Sequence, residues 1–368
     1  VLLPGRGAGA PATNAAASIA DPQELALRHE LVYNAGMKEA QDVLTLLRAY
    51  LPSAALGAAL ELGLFWRLSK GSLSVEDLAR EWNIPPRRCH IWLEILASLD
   101  LLERRPGGYA LSDRARREIV DTYSRDAWET LALEARERYP AGQDLALHLP
   151  TPGSVWDALG RRPPNYVEQM AADPIRARRF VRLWHELREP LADEVADILD
   201  LRGVERVMDL GGGSGVVSLA LLSRCPTLSA IVVDIENVCA AGREIAERTP
   251  LRDRIAYQPL DILHDELPGG FDLVIECKVG VYEQELFERV GRALNQGGRF
   301  VLIDELPPEG RDPPIDHLRY AFHNALRDPD FALPAREQVS GLLEEAGFDL
   351  VSEQLLQAGG RLLETRKR

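Results

Sequence analysis

Residues Val207–Leu222 read VMDLGGGSGVVSLALL: an apolar run, a glycine cluster, then a second apolar run. The first run has strand length, and the second suits a helix. A strand, a glycine turn and a helix together open a nucleotide-binding α/β sheet. The loop is Gly211-Gly212-Gly213-Ser214-Gly215. A G-x-G-x-x-G dinucleotide fingerprint counted from Gly211 requires glycine at position 216, where Val216 stands. A P-loop requires G-K-[ST], and this loop has no lysine. What remains is glycine at 211, 213 and 215. Glycine lets the backbone pass close to a ligand without a Cβ in the way. The spacing suits S-adenosylmethionine, which has no pyrophosphate to hold.

Working outward, strands are expected at Val204–Leu210, Leu228–Asp234, Ile255–Leu260, Phe271–Cys277 and Arg299–Asp304. Helices fall between them, among them Cys239–Arg248 and Glu283–Leu294. Such alternation predicts a parallel, doubly wound sheet. The C-terminus breaks the pattern. FDLVSEQLL, QAGG and RLLETRKR predict a strand, a Gly-Gly turn and a returning antiparallel strand. The second strand ends in Asp234, an acid about twenty positions past the loop, where a carboxylate can hold both ribose hydroxyls. Asp261, after the third strand, is placed to reach an adenine amine, and Ile262 to cover its face. Glycine loop, ribose acid, third-strand Asp and terminal hairpin occur in that order.

The first half reads as helical. Residues 1–20, VLLPGRGAGAPATNAAASIA, are expected to be a tail without a secretory signal. Within residues 21–115, Ser74 with Asp77 opens a short helix. A second helix runs from Pro86 to Leu99, and LLERRPGGYAL reads as a two-stranded wing. This is a winged helix-turn-helix. Arg87, Arg88 and His90 favour nucleic acid, whereas Trp92, Leu93, Ile95, Leu96 and Glu94 favour packing. A formal net charge of -14 weighs against anionic partners, both nucleic acid and membrane surface. Residues 116–200 read as a helical connector, with DPIRARRFVRLWHELREPLADEVADILDL predicting two helices and carrying His185. Cys89, Cys225, Cys239 and Cys277 form no C-x-x-C pair, which argues against zinc or a disulfide framework and for the cytoplasm. No metal site is expected.

DLGGGSG, VVDIENV, LDIL, ALNQGGRFVLIDE and LLEEAGFDLV, in this order, resemble the two-domain small-molecule O-methyltransferases from Lys38 onward. That resemblance implies a winged-helix dimerisation domain, hence a homodimer, followed by a class I methyltransferase domain at 201–368. The latter is a mostly parallel seven-stranded sheet with an antiparallel C-terminal hairpin. It implies S-adenosylmethionine as methyl donor, S-adenosylhomocysteine as product and a small-molecule acceptor. Gly211, Gly213 and Gly215 are implied at the methionine end and Asp234 at the ribose, with Asp209 and Ile235 in the same cofactor-binding set. Asp261 and Ile262 are implied at the adenine. Cys277 and Lys278 are implied near the sulfonium, and Trp184 against the cofactor.

One departure matters. Many members of the resembled family carry a histidine base soon after the fourth strand, and Val281 stands about there, followed by Tyr282. Methyl transfer to a phenol of pKa near 10 requires deprotonation at neutral pH. His317 and His323, further along, are candidate bases, and Tyr282 a candidate acid or positioning group. Asp304 and Glu305 are placed to orient them. Three readings stay open at this point: O-methylation, C-methylation of an electron-rich ring, and a changed chemistry on a retained cofactor.

Overall fold

The structure, a computed structural model, describes residues 42–307 and 315–368. The expected tail 1–20 and the side chain of Asp316 lie outside the described residues. Two compact units divide at Ala54/Ala55. The described part of the first, residues 42–54, is mostly helical and exposes Val43, Leu46, Leu47, Tyr50 and Leu51. Among the described residues no single helix is long and apolar enough to cross a membrane.

The second unit begins within helix α1 (Tyr50–Leu62). Helices α2 (Val75–Glu81) and α3 (Pro86–Ser98) precede a hairpin of β1 (Leu102–Arg105) and β2 (Gly108–Leu111). Ser74 caps α2, its Oγ accepting from Asp77 N at 3.1 Å. Glu94 of α3 accepts from Arg104 and Tyr109 of the hairpin, so the wing folds back onto the helix. Leu78, Leu93, Leu96 and Leu102 close a local core.

Helices α4 (Arg125–Gly142) and α5 (Tyr166–Ala172) lead into α6 (Pro174–Ile198). Where the sequence predicts two helices, α6 is one, with Pro190 inside it. A mid-helix proline costs about 3 kcal/mol. Val181, Leu183, Leu191, Ala192 and Val195 bury a stripe on both sides of it, and that burial holds the turns together.

The sheet has seven strands in the order β5-β4-β3-β6-β7-β9-β8. They are β3 (Arg206–Leu210), β4 (Ser229–Asp234), β5 (Ile255–Pro259), β6 (Phe271–Cys277), β7 (Leu294–Asp304), β8 (Phe348–Leu355) and β9 (Arg361–Lys367). The first five are parallel, and β9 runs antiparallel to both β7 and β8. Both faces are covered. Val207, Leu273, Ile275 and Val301 pack toward α6 and α7 (Val216–Arg224). Met208, Leu210, Val274 and Phe300 pack toward α9 (Gln284–Ala293) and α11 (Arg336–Glu345). Burial on two faces explains why these strands read as continuous apolar runs. Helix α8 (Glu236–Ala246) follows β4, starting earlier than expected, and α10 (Ile315–Ala325) follows β7.

Candidate active site

The glycine loop joins β3 to α7 at the carboxyl end of the sheet, where α/β proteins bind ligands. Gly211, Gly213 and Gly215 all adopt left-handed backbone, with φ of 63°, 59° and 72°. Their surroundings differ. A Cβ on Gly215 would stand 2.8 Å from the Tyr257 hydroxyl, and one on Gly211 2.7 Å from Val279. A Cβ on Gly213 would meet nothing within 4 Å. Gly213 therefore faces the open crevice, and its neighbours pack into the protein.

Asp234 ends β4 opposite this loop. Its Oδ2 accepts from Gly213 N at 3.0 Å and its Oδ1 from Ile235 N at 2.8 Å. Each carboxylate oxygen keeps a lone pair for a ligand hydroxyl. Burial pushes its carboxyl up to about 6, against the pull of the two amides. Asp209 lies beneath the loop: a Cβ on Gly212 would meet its carboxyl at 2.4 Å. Its Oδ2 accepts from Ser218 Oγ at 2.8 Å, its Oδ1 is buried without a partner, and burial pushes it up to about 6.

Helices α5 and α6 supply a wall. Tyr166, Phe180 and Trp184 stack in a row with centroid separations of 5.2 and 5.9 Å, and the Arg188 guanidinium lies 4.8 Å over Trp184. Phe180, Trp184 and Arg188 recur every fourth residue, which puts them on one helix face. Trp184 Nε1 is buried with no acceptor. Arg188 reaches the carbonyl of Cys277 at 3.3 Å. His185 Nδ1 lies 3.1 Å from Ser214 Oγ in the glycine loop, and burial lowers its pKa. Cys277 is a buried thiol pushed up to about 12 by desolvation, so it stays protonated.

The ends of β6 and β7 carry the titratable cluster. Lys278, in left-handed backbone at φ 59°, pairs through Nζ with Glu305 Oε1. Glu305 Oε2 lies 2.7 Å from His317 Nε2 on α10. Burial works to raise the Glu305 pKa, but Lys278 and His317 outweigh it and hold the group below the usual carboxylate range. The opposite ring nitrogen, His317 Nδ1, is buried without a partner. Beside this chain, Tyr282 OH donates to Asp304 Oδ2 at 2.7 Å. Burial, then the Asp304 charge, raises the Tyr282 pKa, so the phenol stays protonated. Tyr282 also borders an open cavity of about 580 Å³ with Phe331, Leu333, Pro334 and Leu342.

The structure thus brings together Gly213, Asp234, Trp184, Cys277 and Lys278 around one end of the sheet, and joins Lys278 to His317. His323 lies apart from that chain. Burial and the charges of Arg138 and Arg327 lower its pKa. Asp261 closes its own turn, accepting from Leu263 N and His264 Nδ1, both at 2.9 Å, and stays exposed at the mouth. Ile235 caps α8, and Ile262 packs half-buried against the apolar core on the α9 face. Arg188 and Tyr166 were not singled out from sequence, whereas the Glu305–His317 contact is one of the pairings the sequence offered. The i, i+4 spacing of Trp184 and Arg188 was the available signal.

S-adenosylmethionine fits this cradle. Open space lies over Gly213, Asp234 offers lone pairs to two hydroxyls, and the orphaned Trp184 Nε1 and the Arg188 guanidinium are donors suited to a carboxylate.

Comparisons with known proteins agree with this geometry. Residues 156–349 match the O-methyltransferase domain and residues 44–121 the O-methyltransferase dimerisation domain. The chain is 28% identical over 321 residues to the N,N-dimethyltransferase OxyT of Streptomyces rimosus, spanning 85% of this chain and 92% of that one. It is 27% identical over 266 residues to 3-hydroxy-5-methyl-1-naphthoate 3-O-methyltransferase of Streptomyces sahachiroi, spanning 71% and 76%. The structure of the mitomycin 7-O-methyltransferase MmcR shares the fold, with a TM-score of 0.78 over 92% of this chain and 100% of that chain at 21% identity. The seven-stranded sheet with its closing hairpin is the class I methyltransferase fold, and the chain belongs to the O-methyltransferase family.

Proposed function

We propose that this chain transfers a methyl group from S-adenosylmethionine to a hydroxyl of a small aromatic or polycyclic metabolite. The observation that carries the reading is the Lys278–Glu305–His317 chain at the strand ends beside the glycine-loop crevice. When bound, the cofactor supplies a methyl group on a sulfonium, ready for in-line displacement. Asp234 accepts from the ribose hydroxyls, Asp261 and Ile262 flank the adenine, and the Gly213 backbone runs under the methionine end. Trp184 Nε1 and Arg188 bind its carboxylate.

The acceptor hydroxyl has to lose its proton. Glu305, held ionised, is an acceptor only, so His317 Nε2 carries the hydrogen of their shared bond. That leaves Nδ1 with a free lone pair, the atom that takes the acceptor's proton. A positioned base of this kind contributes roughly 10²–10⁴-fold. Tyr282, anchored on Asp304, orients the acceptor ring without itself ionising. His317 and Glu305 thereby do the work of the histidine absent at Val281.

The dimer belongs to the same proposal. It rests on the match of residues 44–121 and on the exposed apolar side chains of Val43, Leu46, Leu47, Tyr50 and Leu51. The working division is a dimerisation domain at 21–115, a connector at 116–200 and a catalytic domain at 201–368.

Calorimetric titration with S-adenosylmethionine, S-adenosylhomocysteine and sinefungin tests the cofactor half. Micromolar binding of all three is expected, followed by a methyl mass shift on a phenolic acceptor from a panel. Absence of binding to the folded protein refutes the reading. Sedimentation velocity tests the dimer.

A further inference from the structure

Glu276 lies two residues before Lys278 in β6. It is 1% exposed, and neither carboxyl oxygen has a hydrogen-bond partner. Strand alternation puts it on the face of Val274, toward α9 and α11. Asp304 is on the same face of β7. The register pairs Glu276 with Leu302, so Asp304 is its diagonal neighbour across one strand boundary. Burial, then the Asp304 charge, raises the Glu276 pKa well above the usual carboxylate range.

The loop 278–282 folds over this pair. Left-handed backbone at Lys278 and Gly280 turns the chain back. The amides of Gly280 and Val281 approach the Glu276 carboxyl without forming a well-aligned hydrogen bond. Tyr282 closes the arrangement with its bond to Asp304. Among the described residues, few groups face this cluster. Asp304 comes from β7, Tyr282 from the loop and Tyr320 from α10. Helices α9 and α11 contribute Phe287, Val290, Val339 and Leu343. Among the described residues the nearby cations are engaged elsewhere: Arg289 with the carbonyls of Ile262 and Leu263, Lys278 with Glu305, and Arg327, whose charge acts on Tyr320, with Asn324 Oδ1. With no cation among the described residues paired to it, a second carboxylate here would cost more than a bound proton.

We propose that Glu276 is a positioning residue: lodged beneath the 278–282 loop and diagonal to Asp304, it fixes where the Tyr282 hydroxyl points. The functional consequence rests on the methyl-transfer reading above, but the geometric claim does not. As a neutral acid, Glu276 leaves Asp304 free to accept from Tyr282. Ionised, it would set two anions side by side and drive the loop away.

The test is carbon-13 NMR of protein labelled at tyrosine Cζ, with the Tyr282 signal assigned by its loss in Tyr282→Phe. Glu276→Leu is expected to displace that signal, and Glu276→Gln to leave it in place from pH 6 to 8. An unmoved Tyr282 signal in Glu276→Leu overturns the proposal. Unchanged S-adenosylhomocysteine affinity in both variants shows that the crevice is intact. This readout needs no acceptor, so failure of methyl transfer and failure of this inference are told apart.

If Glu276→Leu does not fold, thermal midpoints of Glu276→Gln decide. The folded-state pKa of Glu276 is raised, so the native protein binds the proton more tightly than the unfolded chain. Wild type therefore loses stability as pH rises above the ordinary carboxylate range, and the glutamine variant is spared that loss. Its midpoint advantage is expected to grow from pH 5 to 8. A difference that stays constant with pH overturns the proposal.

Discussion

Replacing Asp234 with alanine removes one side chain from two kinds of contact. It deletes the acceptor for Gly213 N, which ties the glycine loop to the end of β4, and for Ile235 N at the start of the next turn. On the proposed reading it also deletes the acceptor for two ribose hydroxyls. A hydrogen bond to a charged group contributes about 1.5–3 kcal/mol. Losing two at the low end weakens cofactor binding by about 3 kcal/mol, or about 100-fold in Kd. Calorimetry with S-adenosylhomocysteine reads this directly, with circular dichroism to confirm the fold. The wild type carries a second signature. Its Asp234 carboxyl is pushed up to about 6, and the ribose hydroxyls bind the ionised form. With that pKa, the ionised fraction falls from roughly nine-tenths at pH 7 to one-tenth at pH 5, and affinity should fall about tenfold. Asp209, also near 6, titrates in the same window but lies under the loop. Asp209→Asn should therefore keep the pH dependence, and Asp234→Ala should lose it. An unchanged Kd in Asp234→Ala, or a wild-type Kd flat from pH 7 to 5, would refute the reasoning.

His317→Ala should lower kcat by roughly 10²–10⁴-fold with cofactor affinity unchanged, and Glu305→Gln should follow it, whereas His323→Ala should stay near wild type; steady-state kinetics on one acceptor separates them. Gly213→Ala and Gly215→Ala should fail differently. Both strain a left-handed residue by about 1–2 kcal/mol. The Gly213 Cβ enters open space and blocks the cofactor, while the Gly215 Cβ strikes Tyr257, Ile255 and Val232 and lowers the thermal midpoint further. Asp209→Asn should raise the thermal midpoint at pH 8 and not at pH 4. Burial has raised the native carboxyl to about 6, and its cost is felt only where the group is ionised.

The sheet was legible because its signals are local. Strands buried on two faces write continuous apolar runs, as in Phe271–Cys277, and the glycine loop marks the turn. The terminal hairpin was legible from Gly359-Gly360, both at φ near 100°. The two helices expected over this stretch are one, because a proline's effect on a helix depends on the packing around it. Pro190 removes one amide donor, and the stripe from Val181 to Val195 is sequence-distant evidence that the helix continues. The start of β7 was misread for a related reason. Leu294 pairs with Phe271 across a register shift, and Gly297 carries the irregularity.

The cofactor half of the site is compact in sequence, since each strand end delivers one residue to the crevice. The acceptor half is not. Glu305 and His317 meet because a strand end and a helix twelve residues on converge, and no spacing rule ties those two positions together. The same holds for Tyr282 and Asp304, twenty-two positions apart. Yet these two pairs explain each other. Val281, about where the family resemblance implies a histidine, packs against the apolar core on the α9 face, and the next residue turns its hydroxyl to Asp304. A tyrosine held protonated by burial and a neighbouring anion cannot serve as the base. On the proposed reading the proton leaves by another route, which starts just past the end of β7. Glu305, one step past Asp304, is held below the usual carboxylate range by Lys278 and His317 and, as proposed above, orients His317 as the base. If the proposed assignment holds, moving the base by one strand position and one helix would keep the chemistry and change which side of the acceptor meets it. That shift, more than the loss of a histidine, is what should set this chain's acceptor preference apart.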